Sequence, residues 1–293
     1  MNIKDGLIAA TVIGVWGITF LFTKIALTEL QPMLAGTMRF VLLLFPAIFF
    51  IKKPDVSWKW LALYGLTISF AQFALMFSAM ALGMPTGLVA LVLQSQVFFT
   101  VLLAALLFGE KITPQRWLAM ALAAAGLGLI GVGQAQGDVP LVALLLMIAS
   151  AFSWASGNLV AKKIGRVNAL GLVVWGNVWT VAAFVAVSLM MYGFDGVVQQ
   201  LAGMTWHGWV GVSYLAYIGT FLGYTGWSWL LARHPAAKIM PLAFLIPVEA
   251  LLVGFAILDE TLNGWHWAGI LAVAAGLLVH LFGGRWQIKS KAV

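Results

Sequence analysis

Apolar residues run along this chain in long blocks, not in the alternation of a strand or the one-sided stripe of a water-facing helix. Ten blocks approach the ~20 residues that a bilayer's hydrocarbon core requires. They fall at about 6–29, 33–51, 58–81, 85–109, 113–132, 139–161, 168–192, 206–231, 235–258 and 264–283. The polar breaks between them are short and often marked by Pro or Gly: Gln31-Pro32, Gly83-Met84-Pro85, His234-Pro235 and Asn263-Gly264. The pattern predicts an all-α integral membrane protein of ten transmembrane helices, with no stretch left for a soluble domain. The first block is expected to be a true span, because it is too long for a cleaved signal and lacks a small-x-small cleavage site.

The second half repeats the first. Pro85 precedes Glu110 by the same interval that separates Pro235 from Glu260, and an apolar segment fills each interval. The shift of 150 that relates them also pairs Tyr64 with Tyr214, Ser78 with Ser228, Trp117 with Trp267 and Gly126 with Gly276. Near the start of each half the shift is 138, pairing Trp16 with Trp154 and Lys24 with Lys162. Residues 1–134 and 135–293 are therefore expected to form two five-helix repeats. An odd number of spans inverts the second repeat relative to the first. Many secondary transporters are built so, with the substrate site between the halves at mid-membrane.

Composition agrees. Hydrophobic residues make up 63% and charged residues 9%, against roughly 25% charged in a soluble domain. No cysteine is present, which excludes disulfides and any thiolate metal site or nucleophile. The net charge of +7 is not a nucleic-acid surface, because the basic residues punctuate the apolar blocks. Of 16 Lys and Arg, Lys24 and Arg39 lie inside blocks. The other fourteen (16 − 2), from Lys4 to Lys291, fall in the loops of one side or within the first few residues of the blocks that border them. Cytoplasmic loops carry such an excess, so both termini are expected in the cytoplasm, Glu110 at the inner face and Glu260 at the outer face.

Polar residues inside the blocks are the candidates for function. Glu249 is the one carboxylate well inside a span. A buried carboxylate is costly and faces a cavity or a partner: it could couple protons, anchor a substrate ammonium, or tie helices together. Pro241 and Pro247 flank its approach and disturb the preceding turns, marking a hinge or a packing kink. The matching fourth span carries Gln94 and Gln96 instead. Trp16 and Phe20 share a helix face, and Trp154 and Asn158 occupy the equivalent pair. Gln72 and Phe73 lie in the third span, Tyr224 and Trp227 in the eighth. Aromatic walls with a few amides suit a mid-sized amphipathic solute. Lys24 and Arg39 are expected to snorkel to the interface. Small residues at Ala119, Ala123 and Gly126, and at Gly269, Ala272 and Gly276, predict close helix packing or a dimer face.

No phosphate-binding loop is present, since Gly-Lys never occurs, and no Gly-Tyr-Gly filter appears. The His are isolated, so no metal or other cofactor is expected. The absence of clustered His, Asp or Ser motifs weighs against a membrane enzyme acting on lipids.

The runs VWGITFLFTKIAL, YGLTISFAQFALMFSAMALGMPTGLVALVLQSQVFFT, FGEKITPQRWLAMALAAAGLGLI and AFSWASGNLVAKKI resemble the EamA-type exporters of the drug/metabolite transporter superfamily. Within it they are similar to bacterial exporters of O-acetylserine and cysteine. The resemblance covers the whole chain. It implies two inverted five-helix repeats around a central cavity in the bacterial inner membrane, and efflux of amino acids or related metabolites. It implies that the first, third and fourth helices of each half surround the cavity, which would put Trp16, Phe20, Gln72, Phe73, Gln94, Gln96, Trp154, Asn158, Tyr224, Trp227 and Glu249 on its wall. The expected activity is broad-selectivity export by alternating access, with small-molecule substrate and membrane lipids as partners and protons an open choice of coupling ion. A passive facilitator and an exporter of cationic or aromatic drugs are the alternatives.

Overall fold

The computed structural model describes residues 3–135, 140–165, 167–234, 239, 242–243 and 245–290, with the backbone alone of 134, 135, 224, 228, 231, 232 and 282–290. Among the described residues every regular element is helical. The helices are α1 (Ile3–Glu29), α2 (Pro32–Phe50), α3 (Trp58–Ala81), α4 (Thr86–Phe108), α5 (Pro114–Ala135), α6 (Leu141–Ile164), α7 (Ala169–Gly203), α8 (206–233), α9 (Leu245–Leu258) and α10 (Gly264–Ser290). Eight of the described helices, α1 to α7 and α10, are long and apolar enough to cross a membrane, and α9 is a shorter apolar helix.

Several helices depart from regularity inside the apolar blocks. In α3 the stretch Gly65–Ala71 is π-helical, and in α8 the stretch Tyr214–Leu222 is too. These two stretches overlap under the shift of 150 that relates Tyr64 to Tyr214. Widened turns of this kind shift the helix register and cluster at functional sites. Helix α4 is interrupted at Gln94–Ser95, where the amides of Gln94 and Ser95 bond three residues back, to Leu91 and Val92, at 3.0 Å. Pro247 is the third residue of α9 (Leu245–Leu258), a position at which a proline removes a donor that has no helical acceptor anyway. Helix α7 turns sharply at Gly193, whose φ of 68° lies in the left-handed region. Glycine enters that region without the Cβ clash that penalises other residues.

The core is arranged around α4. Every residue from Thr86 to Leu93 is buried, so this half-helix runs through the middle of the bundle. The main packing partners are α5 with α10, α1 with α8 and α9, α2 with α7, α3 with α6 and α7, and α4 with α6 and α9. Together with the smaller contact of α2 with α8, this set maps onto itself when α1–α5 are exchanged for α6–α10.

The α5–α10 seam shows how the small residues act. A Cβ at Gly126 would stand 2.7 Å from the Gly269 carbonyl oxygen, and one at Gly276 equally close to that of Ala119. Backbones thus touch directly. In lipid, where burial of apolar area gives no drive for association, such close van der Waals contact holds helices together. The structure uses the small-residue face for packing within the chain.

Candidate functional site

Glu249 stands one turn into α9 and points at α1. A Cβ at Gly14 would lie 3.6 Å from its Oε1, an ordinary contact. A Cβ at Gly17 would fall 2.6 Å from its Cδ and overlap the carboxylate. Two glycines on neighbouring turns therefore open a notch in α1 that the carboxylate fills. Among the described residues no ion pair or hydrogen bond is made to Glu249. Tyr214 lies within electrostatic reach, its ring stacked on Phe22 at 3.8 Å and its hydroxyl donating to Val15 O at 2.9 Å. An acid so placed can take up a proton or receive a cationic group.

Trp16 occupies the other side of the same turn of α1. Its Nε1 donates to Gly219 O of the π-helical stretch at 2.9 Å, and its ring meets Trp227 at 5.4 Å. Gly223 leaves the indole its space. Phe20, expected beside Trp16, is buried instead in the main core. Four steps of about 100° leave Phe20 only about 40° round the helix from Trp16, so the two positions share a face while their side chains meet different neighbours, Phe20 the core and Trp16 helix α8.

The second amide cluster joins α4 to α6. Asn158 Nδ2 donates to Gln96 Oε1 at 3.0 Å, directly after the interruption in α4. Gln94 is half-buried on that interruption. Trp154, one turn before Asn158, packs against the main core. Gln72 is buried in α3, its side chain on Met76 Sδ at 3.8 Å and its carbonyl accepting from Ser150 Oγ at 2.7 Å. Phe73 carries a cation on its face: the Arg39 guanidinium lies 4.1 Å from the ring centroid. Arg39 is 6% exposed, so it does not snorkel as expected. Its charge is held against aromatic faces, an arrangement that gains strength when desolvated.

The structure thus brings Gln96 to Asn158 and Trp16 to Trp227, sets Glu249 in the α1 notch, and holds Gln72 and Phe73 on separate contacts of α3. Pro241 lies outside the described residues, and so does the side chain of Tyr224.

Sequence reasoning missed the partners of the loop acids. Lys24 Nζ meets Glu260 Oε1 at 3.1 Å, while Glu260 Oε2 accepts from the amide and hydroxyl of Thr86, each at 2.9 Å. Lys162 pairs with Glu110. The signal was present, because the repeat pairs Lys24 with Lys162 and Glu110 with Glu260.

A bundle of apolar helices with interrupted segments, and with polar groups facing one another across its interior contacts, is of the class of multi-pass membrane proteins. The chain belongs to the EamA-like transporter family, matching it over residues 5–132 and 141–282. A protein of Escherichia coli (strain K12) named "Probable amino-acid metabolite efflux pump" is 38% identical, over 98% of each chain. Its namesake in Salmonella typhimurium (strain LT2) is 39% identical over 97% of each. Protein PecM of Dickeya dadantii (strain 3937) is 27% identical over 94% of this chain and 93% of that one. A solved crystal structure shares the fold with a TM-score of 0.61 at 20% identity, covering 96% of both chains.

Proposed function

We propose that this protein exports amino acids and related small metabolites across the bacterial inner membrane by alternating access. The observation that carries the substrate class is the pair of relatives named as amino-acid metabolite efflux pumps, alike over almost their entire length. Residues 1–134 and 135–293 form two inverted five-helix halves, ten spans in all, with both termini cytoplasmic. The exchange of packing partners between α1–α5 and α6–α10 supports this reading, as do the π-helical stretches at equivalent places in α3 and α8.

The substrate lies between the halves. Glu249, in its glycine notch, takes the ammonium group or the coupling proton. Gln96 and Asn158 lie on the substrate path beside the interruption in α4, where their amides donate to the substrate carboxylate. Trp16, Phe20, Gln72, Phe73, Gln94, Trp154, Tyr224 and Trp227 form a wall that accepts varied side chains, giving broad selectivity. Pro241 and Pro247 serve as the hinge before Glu249.

The test is flux in proteoliposomes holding the purified full-length protein. A panel of radiolabelled amino acids is offered with and without a pH gradient. A carrier shows counterflow, and a proton-coupled one also shows gradient-driven uptake. Flux without counterflow identifies a facilitator, and flux of cationic or aromatic drugs alone replaces the substrate class.

A further inference from the structure

Two ion pairs tie the halves together, and they are equivalents. Lys24 of α1 reaches Glu260 just past α9, and Lys162 of α6 reaches Glu110 just past α4. The lysines are related by the shift of 138 and the glutamates by the shift of 150. Each glutamate follows a residue in the left-handed region, Gly109 at φ 67° and Asp259 at φ 51°. The same helix-ending turn thus presents the same acid at two places.

The pairs stand at opposite ends of α4. The Glu260 carboxylate is bonded to Thr86 at the start of that helix, and Glu110 follows its end at Phe108. Twenty-three residues rising about 1.5 Å each separate the ends by roughly the thickness of a bilayer core. Each pair also joins residues 1–134 to residues 135–293. Any relative movement of the halves that opens one end must therefore part the pair at that end.

We propose that Lys24–Glu260 and Lys162–Glu110 are matched gates, one closing each end of the transport path in turn. The two are not equally firm. The lysines are alike, Lys24 45% and Lys162 48% exposed, but the acids differ: Glu260 is 11% exposed and accepts from three donors, whereas Glu110 is 44% exposed. An exposed ion pair is weak, whereas Glu260 also sits at the N-terminus of α4, where a helix favours a negative charge. The structure is therefore latched at the Glu260 end and lightly held at the Glu110 end. The gates rest on the alternating-access reading but not on the identity of the substrate.

Deuterium uptake by the full-length protein in lipid nanodiscs, with no substrate present, tests them. Glu260→Gln should raise uptake at residues 24–30 and 84–88 and lower it at 106–113 and 162–165. Lys162→Gln should do the reverse. Each should move the balance of states about two- to fivefold, the range expected for one ion pair. The charge reversal Lys162→Glu with Glu110→Lys, at the pair whose acid has no further donor to lose, should restore both ends. A rise confined to the mutated end would reduce the pairs to local struts and overturn the proposal. Lys162→Gln, at an exposed pair, carries the test alone should Glu260→Gln not fold. A wrong substrate class would fail the flux assay yet leave this reciprocal response intact.

Discussion

Gly17 leaves open the space that the Glu249 carboxylate occupies. A methyl group there cannot coexist with the side chain in its present rotamer, because the far neighbour would be overlapped and not merely touched. Alanine is also the better helix former, by about 1 kcal/mol, so Gly17→Ala should not unfold α1. Transport should fall about tenfold, equivalent to ~1.4 kcal/mol, while thermal stability stays near wild type. Normal flux in this variant would take the notch off the transport path.

Glu249→Gln separates the roles open to the acid. A proton-coupling role keeps substrate binding and counterflow but removes the response to a pH gradient. An ammonium anchor weakens binding itself, by ~1.5–3 kcal/mol for a lost charged hydrogen bond. A purely structural role leaves all transport assays unchanged and shifts thermal stability alone. Affinity, counterflow and gradient-driven uptake on one variant distinguish the three.

Much of this was legible in the sequence, and the remainder was hidden for physical reasons. Span positions follow from length and apolarity, which a bilayer enforces on every backbone group. The polar positions follow from the cost of burying them. Pairing was harder, because it depends on which faces meet. Trp16 and Phe20 are one helical turn apart and read as one face, yet neighbours on α8 draw Trp16 away. Arg39 read as a snorkelling cation, since the ring of Phe73 that receives it belongs to the next helix, α3. The interruption of α4 carries no proline, so it showed only as Gln94 and Gln96. Lys24 and Glu260 were both visible, but the repeat had to be read crosswise to join them.

The amides of Gln96 and Asn158 meet at 3.0 Å beside that interruption. Leu at either position should leave the other amide without its partner, and the two losses should not add. A double-mutant cycle on transport should give a coupling of about 0.5–1.5 kcal/mol, the net worth of one hydrogen bond. Additive losses would show that the two amides act independently of their bond.

Labelling tests the orientation directly, since the native chain contains no cysteine and single introduced thiols report without background. Cysteines at Gly83 and Gly196 should react from outside in intact cells. Those at Lys53 and Lys163 should react only from the cytoplasmic side. Any other alternation breaks the ten-span arrangement, because one added or missing span reverses every loop that follows it.

Trp16 and Trp154 are equivalent in the repeat but not in their surroundings, and truncation should separate them. Trp16→Ala removes a hydrogen bond to the Gly219 carbonyl and a ring contact with Trp227. Each is worth about 0.5–1.5 kcal/mol, so both stability and transport should fall, and the π-helical stretch of α8 should become more open to hydrogen exchange. Trp16→Phe keeps a ring against Trp227 and should recover part of the stability but not the bond to Gly219. Trp154 packs against the main core and makes no such bond among the described residues. If it lines the substrate path, Trp154→Ala should cut transport with a smaller change in melting temperature than Trp16→Ala produces. The decisive comparison is the ratio of transport loss to stability loss in the two variants. Equal ratios would mean that both indoles are packing residues, and would remove the aromatic wall from the account of broad selectivity.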